Sequence, residues 1–580
     1  MAEPQQSQAA PVTKTAGGNA AYHNFHNDFA HVQDSNERRR LALAEIDKAP
    51  FGWYHVRAVL VAGVGFFTDS YDIFCVSLLT TMLGIVYYPG VGKMPTHSDT
   101  AIKLATSAGT VFGQFGFGLM ADIVGRKKMY GLELLVIIVS TFAQALASSS
   151  PSMDIVGLII FWRVLMGIGI GGDYPLSSII TSEFATTKWR GAMMGAVFAM
   201  QGLGQLGAAF VMLFLTLGFK GSLEGAAKPA DCTGSCAVAV DKMWRTLIGF
   251  GAVPGCIALY YRLTIPETPR YTFDVQRDVE KADEDVKLYM SGKKGEAVVD
   301  EVARLAAQKE ANQTMTIPKA SFRDFMRHYA KPKNGMLLAG TALSWCFLDI
   351  AYYGLSLNNA TILSAIGYST KHAANTYQIL YNTAIGNLII VLAGAVPGYW
   401  VTVATIDTIG RKPIQLGGFI ILTGLFAGMG FGYNRLNENG LLAIYVLAQF
   451  FFNFGPNSTT FIVPGECFPT RYRSTSHGIS AAAGKIGSII GQGAIAPLRT
   501  RGATKDNESP WLNRVLEIYS LFMLCGVFST LLIKETKRKT LEELTEDDED
   551  VAVQVVSGAS NGSGAGVMER EKGERTPESV

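Results

Sequence analysis

The sequence predicts an all-α membrane protein whose twelve spanning helices form two pseudo-symmetric six-helix bundles. Three observations predict it: charges are scarce and segregated, apolar runs recur at spanning length, and the second half repeats the first. Of 580 residues, 48% are hydrophobic and only 17% charged, whereas a soluble domain carries about 25% charged residues. The formal net charge of +2 hides the segregation, because the charges crowd into tails and short loops. No basic patch is interleaved with base-stacking aromatics, so no nucleic-acid partner is expected.

Twelve apolar segments have the length of a bilayer crossing, about 20 residues. They lie at 57–88, 101–121, 130–149, 154–182, 190–217, 243–264, 335–365, 374–404, 413–433, 439–465, 474–497 and 511–533. This gives a polar N-terminal tail (1–50), a first bundle (51–264), a central loop (265–334), a second bundle (335–533) and a C-terminal tail (534–580). The central loop reads as amphipathic surface helices at 280–294, 300–309 and 322–329. The N-terminal tail has no apolar cleavage-type stretch, so no removable signal peptide is expected. The C-terminal tail is acidic, then rich in Gly and Ser, a composition that does not fold alone. Arg126-Lys127-Lys128, Lys188 with Arg190, Arg411-Lys412 and Arg471 with Arg473 fall in loops on one side, with Arg38-Arg39-Arg40. Basic loops mark the cytoplasm, which puts both termini there.

The repeat is read from short matches. Asp122-Ile-Val-Gly125-Arg126-Lys127 recurs 285 residues later as Asp407-Thr-Ile-Gly410-Arg411-Lys412. Glu183 followed by Arg190 recurs as Glu466 followed by Arg473, and Asp69 has its counterpart in Asp349. Matched halves of this kind describe a transporter built from repeats.

An acid inside a lipid span costs about 3 kcal/mol or more, so each one is a functional candidate. Asp173-Tyr174-Pro175 sits in the fourth span, and Asp69 and Asp72 share one face of the first at i, i+3. In the seventh span Trp345, Asp349 and Tyr353 recur at i, i+4 and i+8, one helix face. Tyr174 and Asn457 hold near-equivalent places in spans four and ten, as do Gln201 and Lys485 in spans five and eleven. Blander readings stand beside these: aromatics as interfacial belt or packing, Asn457 as a bond between helices, Asp349 as a structural partner of Lys485, Arg163 as a snorkelling residue.

The paired Asp-x-x-Gly-Arg-Lys loops resemble the mark of the major facilitator superfamily. The run Gly171-Gly172-Asp173-Tyr174-Pro175-Leu176-Ser177 through Phe184 is similar to the signature of phosphate:proton symporters. Asn453 to Phe461, Pro464 to Arg473, and Asn27 to Leu43 are similar to segments of that family's fungal high-affinity branch. The resemblance implies a proton-coupled importer of inorganic phosphate in the plasma membrane. It implies substrate contact for Tyr174, Gln201, Trp345, Asp349, Tyr353 and Asn457. In the related sugar porters a first-span carboxylate pairs with a fourth-span arginine, and that resemblance implies that Asp72 pairs with Arg163 as a coupling element, with Asp69 and Asp173 deeper along the proton route and Lys485 biasing Asp349. The loop residues Asp122, Arg126, Asp407 and Arg411, with Glu183, Arg190, Glu466 and Arg473, are expected to gate the cytoplasmic end.

Chemistry agrees with that set. Dihydrogen phosphate needs donors for its bare oxygens and a carboxylate acceptor for its P–OH; sulfate has no such proton and would leave the carboxylate unpaired. The competing readings are a glycerophosphodiester or sugar carrier on the same scaffold, and a phosphate sensor. An enzyme is not favoured, since no nucleophile triad or Cys/His metal spacing appears; no cofactor and no metal site are expected. Gly167-x-Gly169-x-Gly171-Gly172 lies inside a lipid span with no strand before it, so it reads as close helix packing rather than a dinucleotide loop. Of seven cysteines, Cys232 and Cys236 share an external loop and are candidates for a disulfide. His23, His26 and His31, and a glycan acceptor at Asn507, are weak signals.

Overall fold

The computed structural model describes residues 51–264, 267–276, 321–370, 373–504 and 509–546, with Leu43 and Asp47. The surface helices expected at 280–294 and 300–309, the N-terminal histidines, Asn507 and the tail beyond 546 lie outside the described residues. Among those described, regular structure is helical apart from one isolated β-bridge, Ser150 with Met153.

The first half contributes α1 (Trp53–Tyr87), α2 (Thr96–Val124), α3 (Arg126–Ala145), α4 (Ile155–Phe184), α5 (Arg190–Gly218) and α6 (Ser235–Thr264). The second contributes α7 (Pro332–Ser356), α8 (Thr376–Ile409), α9 (Arg411–Arg435), α10 (Glu438–Asn453, then Pro456–Cys467), α11 (Arg473–Ile490) and α12 (Leu512–Thr530). Nine of these, all but α2, α10 and α11, are long and apolar enough to cross a membrane by length and composition. Of the other three, α10 is interrupted after Asn453 into pieces of 16 and 12 residues, α2 and α11 carry many polar residues, and each packs against the opposite half. They face the interior of the molecule, where side-chain partners replace lipid.

Two seams join the halves: α2 against α11, and α5 against α8. Glycine makes the first seam close. A Cβ on Gly478 would stand 2.3 Å from the carbonyl oxygen of Gln114. Within the first half, the α4 glycines do the same against α2, where a Cβ on Gly167 would lie 2.3 Å from the Thr106 carbonyl. The glycine run of α4 is therefore a packing surface, as the sequence indicates. Pro175 stands inside α4 without ending it. Membrane helices tolerate such prolines where neighbouring helices satisfy the freed backbone.

Phe322–Ala330 is a helix, capped by the Ser321 side chain, which accepts the Asp324 N–H. Cys232 and Cys236 are joined in the α5–α6 connection.

Candidate functional site

The α7 stripe sets the centre. Trp345, Asp349 and Tyr353 are all buried, and each faces a helix from elsewhere in the bundle. Asp349 Oδ2 accepts the Lys485 ammonium of α11 at 2.9 Å, while Oδ1 has no hydrogen-bond partner among the described residues. The same ammonium lies 3.8 Å from the Tyr353 ring centroid and 5.2 Å from that of Tyr174 on α4. The two phenol oxygens are 3.4 Å apart. Gln201 of α5 donates to the Tyr174 hydroxyl at 2.6 Å and accepts from the Tyr399 hydroxyl at 3.2 Å. Asn457 of α10 donates to Tyr399 at 2.9 Å and to Asn453 Oδ1 at 2.7 Å. The Trp345 ring stands 6.3 Å from that of Tyr174. Tyr174, Gln201, Trp345, Asp349, Tyr353, Asn457 and Lys485 are thus one cluster at the junction of the halves. Tyr399 and Asn453 join it, though the sequence reading did not single them out as pocket residues. Asn453 had a readable signal, an amide four residues before Asn457.

On the side of the paired loops, Phe66, Phe198 and Phe461 close the cluster, with ring centroids 4.5–5.6 Å apart. The six expected substrate residues are at most 3% exposed. The cluster is shut from both ends.

A second cluster gathers acids. Asp173 Oδ2 pairs with Arg262 of α6 at 2.7 Å, and Oδ1 accepts the Ser177 hydroxyl at 2.5 Å. Arg262 also pairs with Glu133 of α3 at 2.9 Å and lies over the Tyr130 ring. Asp69 lies close to Asp173, is fully buried, and neither of its oxygens receives a donor from the described residues. Two carboxylates therefore share one guanidinium, with Asp69 in its electrostatic reach. Glu133 and Arg262 were missed from sequence because they stand near span ends, where charges read as interfacial.

The expected Asp72–Arg163 ion pair is not made. Thr141 donates to the Asp72 carboxylate at 2.9 Å, while Arg163 donates to the Asp72 main-chain carbonyl at 3.3 Å and to Gln144 at 3.5 Å. Two neutral side chains three residues apart on α3 stand in for the salt bridge.

The paired loops form matched contacts. Asp122 accepts the N–H groups of Ser474 and Thr475 at 3.3 and 2.7 Å, in the first turn of α11. Asp407 accepts the N–H of Ala192 at 2.8 Å, in the first turn of α5. Each aspartate thus caps a helix of the opposite half, where unpaired N–H groups and the helix dipole favour an anion. Asp122 and Asp407 also hold Arg126 and Arg411 at 3.2 and 2.7 Å. Arg126 reaches Glu183 at 3.5 Å, and Arg411 reaches Glu466 at 2.7 Å. The symmetry stops at the last pair. Arg473 crosses to Glu183 at 3.1 Å, but Arg190 takes Asp47 at 2.8 Å and the Lys539 carbonyl. Glu466 is already occupied by Arg411 and the Thr536 hydroxyl. Arg270, just past α6, collects Asp47, Glu542 and the Glu183 carbonyl.

Residues 58–547 match the model of the "Sugar (and other) transporter" family. The chain belongs to this transporter family. Among its relatives, the repressible high-affinity phosphate permease of Neurospora crassa is 78% identical over 92% of this chain and 93% of its own. The inorganic phosphate transporter PHO84 of Saccharomyces cerevisiae is 56% identical over 92% of this chain and 91% of its own. Of solved structures, the major facilitator superfamily proton:xylose symporter XylE, bound to 6-bromo-6-deoxy-D-glucose, superposes with a TM-score of 0.62 at 17% identity, covering 85% of this chain and 98% of its own. That likeness shows the major facilitator fold. A transporter, not an enzyme, has the repeat, the seams and the buried polar core just described.

Proposed function

We propose that this chain imports inorganic phosphate together with protons, by alternating access across the plasma membrane. The observation that carries the reading is the buried Asp349–Lys485 pair ringed by two phenols, two carboxamides and an indole, in a chain so close to phosphate carriers. A buried ion pair is poor evidence of stability, since well-packed apolar residues in its place are often neutral or stabilising by about 1–4 kcal/mol. An oxyanion gives the pair a purpose. Lys485 and the N–H and O–H donors take the bare oxygens, and Asp349, with one oxygen unpartnered, accepts from P–OH. A sugar would leave the ammonium without an anion to answer. A glycerophosphodiester anion has no P–OH to give Asp349, only the weaker donors of its alcohol hydroxyls.

Asp69 and Asp173 are the proton carriers in this reading. An isolated ionised carboxylate in an apolar interior is prohibitively costly, and such groups neutralise instead. No described residue donates to Asp69, so in this reading it carries its own proton beside Asp173. Arg262 is the counter-cation that releases the proton when the helices move. Asp72 and Arg163 support this cluster through α3 rather than by pairing directly.

The two halves, 51–264 and 335–533, rock about the phosphate site. The loop motifs Asp122/Arg126 and Asp407/Arg411, with Glu183, Glu466 and Arg473, latch the end that carries the basic loops, which we assign to the cytoplasm with both termini. Arg190 belongs to the same latch through Asp47.

Moving one charge through 100 mV is worth about 2.3 kcal/mol. One proton with one dihydrogen phosphate moves no net charge, so membrane potential drives uptake only with at least two protons. In liposomes holding the purified protein, phosphate is expected to evoke an inward positive current and to accumulate down a proton gradient. Phosphate movement that ignores both pH and voltage rejects the coupling; no movement at all favours a sensor.

A further inference from the structure

The helix Phe322–Ala330, which no step above uses, divides into a covered half and an open half. At about 100° per residue, Asp324, Phe325, His328 and Tyr329 fall on one side, and Phe322, Arg323, Met326, Arg327 and Ala330 on the other. The first four are half-buried and the other five exposed. The covered half is bound to the corner between α10 and α11. Asp324 takes the Arg471 guanidinium at 3.1 Å and the Tyr472 hydroxyl at 2.8 Å. Phe325 stands edge-on to the Tyr472 ring, centroids 5.3 Å apart, and the Tyr329 hydroxyl meets Ser476 Oγ at 2.5 Å. The open half is different. Phe322 is 81% and Met326 54% exposed, and among the described residues neither Arg323 nor Arg327 has an ion-pair partner.

Composition and position say what meets the open half. It joins two large apolar side chains to two guanidiniums and holds no acid, since Asp324 lies on the covered side. Around the helix the order is protein, then apolar, then basic. Lys331 alone separates this helix from Pro332, where α7 begins, and α7 is long and apolar enough to cross a membrane. The helix therefore lies where α7 enters the lipid, at the end that carries the basic loops. A helix resting in a bilayer surface has this pattern, apolar residues in the acyl boundary and arginines among the headgroups. The cytoplasmic leaflet, to which that end is assigned, has a negative surface potential. A stable protein partner needs about 800 Å² on each side, several times what half of a nine-residue helix presents.

We propose that the open face of Phe322–Ala330 is a docking surface for the anionic lipids of the inner leaflet. Phe322 and Met326 enter the acyl boundary, and Arg323 and Arg327 bind headgroup phosphates and carboxylates. The consequence reaches the cytoplasmic latch. The covered half grips Arg471, Tyr472 and Ser476, which flank the residues that meet the first half: Arg473 on Glu183, and the N–H groups of Ser474 and Thr475 on Asp122. The leaflet thereby steadies the corner against which the first half swings. The proposal rests on the orientation given above and not on the cargo.

The test titrates phosphatidylserine into phosphatidylcholine bilayers that hold the full chain. A nitroxide on Met326→Cys, with the signal of labelled wild type subtracted, reports depth. It is expected to collide more with oxygen than with a water-soluble nickel chelate, increasingly so as phosphatidylserine rises. Initial phosphate uptake of the wild type is expected to rise over the same titration. Arg323→Gln/Arg327→Gln is expected to raise the phosphatidylserine fraction for half of each effect at least about tenfold, which leaves a flat response over the accessible range. Phe322→Ser/Met326→Ser is expected to remove the rise in uptake while keeping wild-type thermal stability in detergent, because the replaced side chains are exposed. A nitroxide open to the nickel chelate at every composition overturns the proposal, as does an unchanged phosphatidylserine response in the double arginine variant. A dimer that Phe322→Ser/Met326→Ser turns into a monomer would give this face to a second copy, and overturns it too. A wild-type chain that carries no phosphate would sink the proposed transport alone, since the nitroxide still decides the docking.

Discussion

Asp349→Asn is expected to lower proton-driven phosphate uptake by at least about 100-fold, equivalent to about 2.8 kcal/mol. Two effects act together. The variant loses the only carboxylate that meets Lys485 among the described ion pairs. It also presents P–OH with an amide, half of which is a donor. Sites built to hydrogen-bond a substrate group reject a mismatch strongly because a buried polar atom is then left unpaired. Stability falls as well, since removing one member of a buried pair costs about 3–5 kcal/mol. The fall in stability alone does not identify the role. The double variant Asp349→Asn/Lys485→Leu tests the pair as a unit, because it removes the stranded charge. Thermal stability is expected to recover in the double variant while uptake stays lost. Recovery of uptake together with stability would make the Asp349–Lys485 pair structural and nothing more.

Asp69→Asn is expected to separate movement of phosphate from its accumulation. Asparagine has the shape of the protonated acid and leaves the Arg262 pairs to Asp173 and Glu133 intact. Phosphate–phosphate exchange across liposomes, which needs no net proton transfer, is expected to continue within a few-fold of wild type. Accumulation driven by a pH gradient is expected to fall at least about tenfold, about 1.4 kcal/mol of lost coupling. Loss of both activities together would mean that Asp69 holds the fold or the phosphate. Full accumulation in Asp69→Asn would remove it from the proton route.

The repeat and its paired loops were legible in the sequence for a simple reason. Lipid exposure forces long apolar runs, and a duplicated loop leaves the same residues at a fixed spacing. Asp122 and Asp407 lie in such loops, and each caps a helix of the opposite half. The stripe Trp345, Asp349, Tyr353 was legible because helical periodicity alone puts it on one face. Less visible were contacts that depend on which helices become neighbours. Arg262 meets Asp173 across α6 and α4, and nothing in the local pattern of either helix names the other. Tyr399 sits between Gln201 and Asn457, but one phenol in an apolar run reads as packing. The Asp72–Arg163 assignment came from likeness to sugar porters. It failed because Thr141 and Gln144 supply closer neutral partners here.

The account stands on one claim, that donors and acids from both halves surround a single phosphate. The most direct measurement is an experimental structure determined with saturating phosphate at mildly acidic pH. The account predicts tetrahedral density within hydrogen-bond distance of Asp349, Lys485, Tyr174, Gln201 and Asn457, with the Tyr174 and Tyr353 hydroxyls bonded to it instead of to each other. Phosphate bound elsewhere, with Asp349 and Lys485 still paired and undisturbed, would contradict it.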